Sequence, residues 1–201
     1  MSFKIITAVA TEPITRAEAK LHLGIDDIGG SHPDDAIIDA LITGARLYGE
    51  QYTNRALASQ VLELALDEFP ADEERITLPR PPVASVTSIK YTDMSGAEQT
   101  FSSANYTLSQ YGDNCMIALA YDASWPSTQD VIDAVRICYV TGYAASGAGA
   151  EFTALPKAAR QGLLMHISLM YPRNSLTPAE RQAMEKARDE LLNTIKIWGF
   201  R

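Results

Sequence analysis

Apolar residues along this chain recur first at three- and four-residue spacing, then at alternate positions, then at three and four again. In the first helical stretch, "TEPITRAEAKLHLGI", Thr15 and Glu18 form a Thr-x-x-Glu capping box. Ile14, Ala17, Leu21 and Ile25 supply its apolar face, and Gly24 suits a left-handed C-terminal cap, so a helix is predicted from Thr15 to Leu23. A second helix is predicted from Pro33 to Tyr52, where Ile38, Leu41, Ile42, Ala45, Tyr48 and Tyr52 repeat with helical spacing. Ser31 or His32 is placed to cap it, Pro33 fits its first turn, and Asp34 with Asp35 complements the positive end of its dipole.

After Arg55 the period changes to two. In "SQVLELALDEF", Leu62, Leu64 and Leu66 lie on one face and Val61 with Glu63 on the other. "ERITLP", "VTSIKYTDMSGAEQTFS", "NYTLSQYGDNCMIALAY" and "DAVRICYVTGY" continue as short strands, with bends at Met94-Ser95-Gly96 and Gly112-Asp113-Asn114. The region from Ser59 to Tyr143 thus reads as five to seven strands. Within it, "LPRPPV" crowds Pro79, Pro81 and Pro82 between two β runs. "PRPP" satisfies a PxxP pattern, but a ligand would need exposure and a longer repeat. Prolines that guard a strand entry and block stray edge pairing explain it better. The glycine-rich "AASGAGAE", residues 144 to 151, reads as a connection. Helical spacing then returns: Pro156 opens a helix lined by Leu163, Leu164, Ile167 and Met170, and Pro172 ends it. A second capping box, Thr177 with Glu180, starts the last helix, whose stripe is Met184, Ala187, Leu191, Leu192, Ile195 and Trp198.

The predicted class is α+β: a helical core from the N- and C-terminal helices with an inserted antiparallel β-rich region. Its segments are 1–58, the N-terminal helical part of the core; 59–143, the β insert; and 144–201, the helices that complete the core.

Composition adds two constraints. The 201 residues are 46% hydrophobic and 21% charged, which permits one well-buried core or one with an insertion. Two distant cysteines, Cys115 and Cys138, and an N-terminal patch too short for export read as a reducing, cytoplasmic setting. No apolar run approaches the roughly 20 residues that span a bilayer, so no membrane is expected. The formal net charge of −8 argues against broad wrapping of nucleic acid. It is unevenly spread: residues 155–201 hold eight basic and four acidic side chains, while residues 1–154 hold nine and 21. Solvated faces explain this as the default. An acidic body that meets a basic tail on a neighbouring copy is the sharper reading.

No strong catalytic, cofactor or metal constellation emerges. His22, His32 and His166 do not pair at metal-ligand spacing. Asp26, Asp27, Asp34 and Asp35 lack the register of a calcium loop. Ser-x-x-Lys chemistry belongs at a helix start, whereas Thr87 to Lys90 read as strand. "SGAGAEF" lacks the remainder of a dinucleotide or phosphate-loop motif. Neither cysteine has a basic neighbour in sequence.

The series "EPITRAEAKLHLGI", "DDAIIDALITGARLYGEQYTNRAL", "LPRPPVASVTSIKYTD", "VRICYVTGY" and "LPKAARQGLLMHISLMYPRN" is, in its order, similar to the head–tail connector (adaptor) proteins of long-tailed bacteriophages and prophages. The likeness runs from Glu12 to Asn174. It implies a structural protein, not an enzyme, with no cofactor, metal or catalytic residues to carry over. It implies a homo-oligomeric ring, dodecameric in the virion, below a portal protein, which extends the DNA channel and offers a platform to a tail-completion or stopper protein. The implied places are the host cytoplasm during assembly and the head–tail junction of the virion. DNA would pass transiently and without specificity, because an acidic lumen repels phosphates.

A ring repeats one heterologous contact until it closes, so each copy needs two complementary patches. Arg173, Arg181, Arg188, Lys196, Trp198, Phe200 and Arg201 are the candidate subunit or portal interface. On this reading Arg181, Arg188 and Lys196 face a neighbour's acids while Trp198 and Phe200 anchor. The alternative for Trp198 is closure of the intramolecular helical core. Two other functions compete: a small hydrolase-like intracellular enzyme, and a nucleic-acid-binding module built from the basic C-terminal helices.

Overall fold

In the computed structural model, residues 2–26, 31–70, 75–110, 114–143 and 154–198 are described. Among them the fold is α+β, with four α-helices and antiparallel sheets. The chain forms two compact units: residues 1–10 with 59–142, and residues 11–58 with 143–201.

The first unit is β-rich. Its five-stranded sheet runs β1 (Ser2–Thr7), β2 (Gln60–Leu66), β8 (Val135–Thr141), β4 (Val83–Thr92) and β5 (Glu98–Phe101), each neighbour pair antiparallel. A three-stranded sheet runs β3 (Arg75–Thr77), β7 (Met116–Leu119) and β6 (Tyr106–Ser109). Both contribute to one core that includes Leu62, Leu64, Ile76, Ile89, Ile117, Ile137 and Tyr139. The period-two pattern explains the central strands. Leu62 faces Tyr139 and Leu64 faces Ile137 on the buried side, while Glu63 faces Cys138 on the other. Residues 2–7, counted by pattern with the helical segment 1–58, are instead a strand paired with β2. Six residues with Lys4 among apolar neighbours carry no helical period, but they are too short to announce a strand.

The prolines of "LPRPPV" are buried. The Tyr139 hydroxyl donates to the Pro79 carbonyl at 2.9 Å, and Thr141 Oγ1 donates to the Pro82 carbonyl at 2.9 Å and to that of Arg80. Strand side chains thus help to satisfy the carbonyls of this segment, and the Gly142 amide adds a bond to that of Pro82 at 2.8 Å. Buried prolines cannot serve as a PxxP ligand. The hairpin bend after β4 is built by Asp93, whose carboxylate accepts from Ser95, Ala97 and Gln99, with Gly96 at φ 84°.

The second unit holds α1 (Arg16–Leu23), α2 (Asp35–Thr53), α3 (Lys157–Met170) and α4 (Pro178–Asn193) around Ile14, Ile38, Ile42, Leu57, Leu163, Ile167 and Leu192. Both capping boxes form: Thr15 with Glu18 opens α1, and Thr177 with Glu180 opens α4. Gly24 adopts φ 68° as the left-handed cap of α1. The cap of α2 is Asp34, not Ser31 or His32. The face of α1 also differs from its pattern. Ala19 and Lys20 are buried and Leu21 is 83% exposed, because Lys20 reaches Asp35 of α2 at 2.7 Å. Lys20 is long enough to cover apolar surface with its stem while its ammonium meets a carboxylate. Likewise Met170 at the end of α3 is exposed, and Ala159 and Leu169 are buried in its place.

Candidate functional site

The candidate interface residues lie in the helical unit, and the structure sorts them by how far they are already engaged. Arg188 is buried on α4. Its guanidinium donates to Asp189 at 2.8 Å, contacts His166 Nδ1 at 3.2 Å and lies 4.4 Å from the Tyr48 ring centroid. Tyr48 stacks on His166 at 4.3 Å and donates its hydroxyl to Asp189 at 3.0 Å. Arg188 is therefore an internal clamp between α2, α3 and α4 and not a side chain turned toward a neighbour. Burial pushes the Tyr48 hydroxyl up to about 12 and holds His166 below its ordinary value, with Arg188 adding repulsion to the imidazolium. The helical spacing carried a signal for this clamp. Met184, Arg188 and Leu192 stand four apart, so the arginine sits in the inward stripe.

Arg173 and Arg181 keep more of their surface. Arg173 donates to Asp34 Oδ1 at 2.7 Å while its side chain stays 63% exposed, and Tyr171 donates to the other Asp34 oxygen at 2.6 Å. Asp34 is thereby held as the buried N-terminal anchor of α2. Arg181 donates to the Leu169 carbonyl at 3.2 Å and is exposed on the first turns of α4.

The segment after α4 is tied to α2. The Ile197 amide donates to the Thr53 carbonyl at 2.9 Å, Arg55 donates to the Ile195 carbonyl, and the Tyr52 hydroxyl donates to Asn193 at 3.0 Å. Ile197 is buried by this docking, whereas Trp198 is 74% exposed. Trp198 does not close the helical core. Helical spacing had placed it in the stripe, but the helix ends at Asn193 and the turn that follows sets Ile197 inward instead. Lys196 lies 4.2 Å from the Tyr52 ring centroid and 4.5 Å from that of Trp198. A cation between two aromatic rings holds the indole in place while leaving it open to solvent. Phe200 and Arg201 lie outside the described residues.

Other polar clusters are internally matched. Arg46, buried on α2, donates to Glu12 at 2.8 Å and to Glu50 at 3.1 Å, and Glu50 also accepts from the Leu57 amide at 3.0 Å. Arg160 donates to the Pro13 carbonyl at 2.9 Å and to Glu18, whose carboxyl the guanidinium draws down to about 2. A small cleft lined by Glu12, Leu57, Tyr143, Leu155 and Arg160 has both of its charged side chains tied in these pairs. Among the described residues no group of three or more His, Cys, Asp or Glu side chains could hold a metal ion. Cys115 and Cys138 are not in a disulfide. Ser88 and Lys90 lie on strand β4, not at a helix start.

Neither a protein-family model nor a curated protein sequence matches the chain. Solved structures do. A chain from the neck of an empty GTA (gene transfer agent) particle, computed with C6 symmetry, matches with a TM-score of 0.75 at 24% identity. The match covers 100% of this chain and 98% of that one. A chain from the virion of a native gene transfer agent particle matches at 0.72 and 23%, with the same coverages of 100% and 98%. A chain from the neck of a native GTA particle, computed with C12 symmetry, matches at 0.70 and 22%, again over 100% and 98%. At these identities the likeness establishes a shared fold.

Proposed function

We propose that this chain is a structural component of the neck of a phage-like particle, a head–tail connector (adaptor) that assembles as a ring below the portal. In this role it extends the DNA channel and offers the docking platform for a tail-completion or stopper protein. The observation that carries the reading is the full-length match, over 98% of each neighbour, to chains of GTA necks and a GTA virion. The C6 and C12 symmetry of those neck reconstructions supports a ring, dodecameric in the assembled particle. The role is non-enzymatic, and the particle's head–tail junction is its final place. Among the described residues no helix is long and apolar enough to cross a membrane.

Within this reading the exposed members of the basic C-terminal set carry the contact with a neighbouring copy or the portal. Arg173 and Arg181 are those members, joined by the half-buried Lys196 and the exposed Trp198; Arg188 supports them from inside. An exposed indole braced by a lysine is a preformed anchor, since little side-chain freedom remains to be lost on binding. The test is electron microscopy of the purified chain with and without the portal protein of the same particle. A closed ring seated on the portal is the expected result. A chain that stays monomeric and off the portal overturns the proposal. Truncation after Asn193 then asks whether the docked tail contributes: loss of the ring assigns it a role, and unchanged assembly removes it.

A further inference from the structure

The five-stranded sheet of the β unit ends in two open edges. Among the described residues β1 pairs only with β2, and β5 only with β4. Such edges present rows of unpaired amide and carbonyl groups, which proteins blunt with prolines, charges, short strands or bulges, or cover; β1 has Lys4 and a register shift between Ile5 and Thr7, and β5 has four residues. Neither β1, "SFKIIT", nor β5, "EQTF", contains a proline. The other sheet differs: β3 is only three residues long and runs directly into the buried prolines.

The two open edges also continue the same two faces of one sheet. Phe3 and Ile5 stand opposite Leu64 and Leu62, so they continue the buried face of the sheet, yet they are 43% and 57% exposed. On β5, Gln99 and Phe101 stand opposite Tyr91 and Ile89, on that same inner face. On the outer face, β1 carries Lys4 and β5 carries Glu98. One edge therefore carries exposed Phe3 and Ile5 inside and Lys4, paired with Glu63, outside; the other carries Gln99 and the buried Phe101 inside and Glu98, paired with Lys90 and Arg136, outside.

We propose that, in the ring inferred above, the outer edge of β1 in one copy pairs with the outer edge of β5 in the next, so that the sheets run on from subunit to subunit. The occupant of each edge is a second copy of this chain, and the proposal rests on the ring reading. Strand direction agrees with it. In a five-stranded antiparallel sheet the two edge strands point the same way. A small rotation about a ring axis then sets β5 beside the next β1 in parallel pairing, which a hydrogen-bonded ladder accommodates. The contact is heterologous, as ring closure demands. It places Lys4 of one copy on the same face as Glu98 of the next and adds strand partners beside Phe3 and Ile5.

Disulfide trapping in full-length rings assembled on the portal protein of the same particle tests this. The pairs are Ile5→Cys with Gln99→Cys, and Phe3→Cys with Gln99→Cys to cover a two-residue offset, both on a Cys138→Ser background. Adjacent strands lie about 4.8 Å apart, within the roughly 4.4–6.8 Å Cα separation of a disulfide. The expected result is an oxidant-dependent ladder of chain multiples, reaching the closed ring, from one of the pairs and from no single-cysteine variant. Portal-bound rings that give no ladder from either pair overturn the edge junction and leave the ring reading standing. Dimers from Ile5→Cys alone overturn it in favour of a two-fold contact between β1 strands. A wild-type chain that never joins the portal overturns the ring reading and the junction with it. Ile5→Lys supplies a second handle, because it places a charge on the inner face that the junction would bury, while sparing the ladder to β2. Loss of rings with an unchanged circular-dichroism spectrum and thermal midpoint supports the junction, and undisturbed rings overturn it.

Discussion

The two units solve the same problem with different materials. The β unit keeps its charges on the outer face: Lys4 meets Glu63, and Glu98 meets Lys90 and Arg136, all part-exposed. Its core is apolar, and its geometry is held by register. The helical unit threads charge through its packing. Lys20 with Asp35, Arg46 with Glu12 and Glu50, Asp34 with Tyr171 and Arg173, and Arg188 with Asp189 each include a buried group. A strand ladder specifies its neighbour through every backbone pair, whereas helices pack through side chains alone and tolerate several crossing angles. Buried ion pairs do not guarantee stability. Most of these pairs join two elements or two turns, and the adjacent Arg188 and Asp189 reach α2 and α3 through Tyr48 and His166, so each cluster pins a helix to one position.

The widest gap between the units should come from deleting charge. Arg46→Met leaves Glu12 and Glu50 facing each other without the guanidinium, and a loss of about 3 kcal/mol is expected. Glu98→Gln in the β unit should leave the urea midpoint unmoved. Equal responses would abolish the contrast. Two tryptophans allow separate readouts: Trp125 stacks on Phe69 at 4.9 Å in the β unit, and Trp198 reports the helical unit. Next in size is the docked tail. Ile197→Ala should cost about 2 kcal/mol, while Trp198→Ala stays within about 0.5 kcal/mol in chemical denaturation. The reverse order would return Trp198 to the core.

Tyr139→Phe removes a buried hydroxyl from the Pro79 carbonyl, and a loss of about 1 kcal/mol is expected in the β unit. No loss would mean that the proline segment holds its place without that bond. The smallest effect concerns His166. Its folded-state pKa lies below 6.5 because burial, then Arg188, disfavours the charged ring. The unfolded chain therefore binds the proton more readily, so this contribution is complete above pH 6.5 and is lost as pH falls below it. The thermal midpoint of wild type should drop more between pH 7.5 and 5.5 than that of His166→Phe. Parallel pH profiles would show that the ring is not held neutral by its stack on Tyr48.

Much of the architecture was legible without coordinates. Capping boxes at Thr15 and Thr177 are local chemistry, and so is the alternation of Leu62, Leu64, Ile137 and Tyr139. Local chemistry survives translation from pattern to structure because the partners are three residues apart or directly opposite. The candidate interface was less legible. Arg188, expected to face a neighbour, went inside, while of the two places open to Trp198 the core was ruled out and the surface kept. The reason lies at long range, since Tyr48, His166 and Asp189 accept the guanidinium and Thr53 takes the Ile197 amide. No window along the chain contains those partners together.

By itself the sequence determined the four helices and the strands after Arg55, because hydrophobic period and capping act within a few residues. Only the tertiary structure decided that the first strand joins the β unit, that the prolines are buried, and which basic side chains go inside. Those outcomes depend on contacts between residues up to about 140 positions apart, such as Arg55 with Ile195. Their energies appear only once the elements have packed.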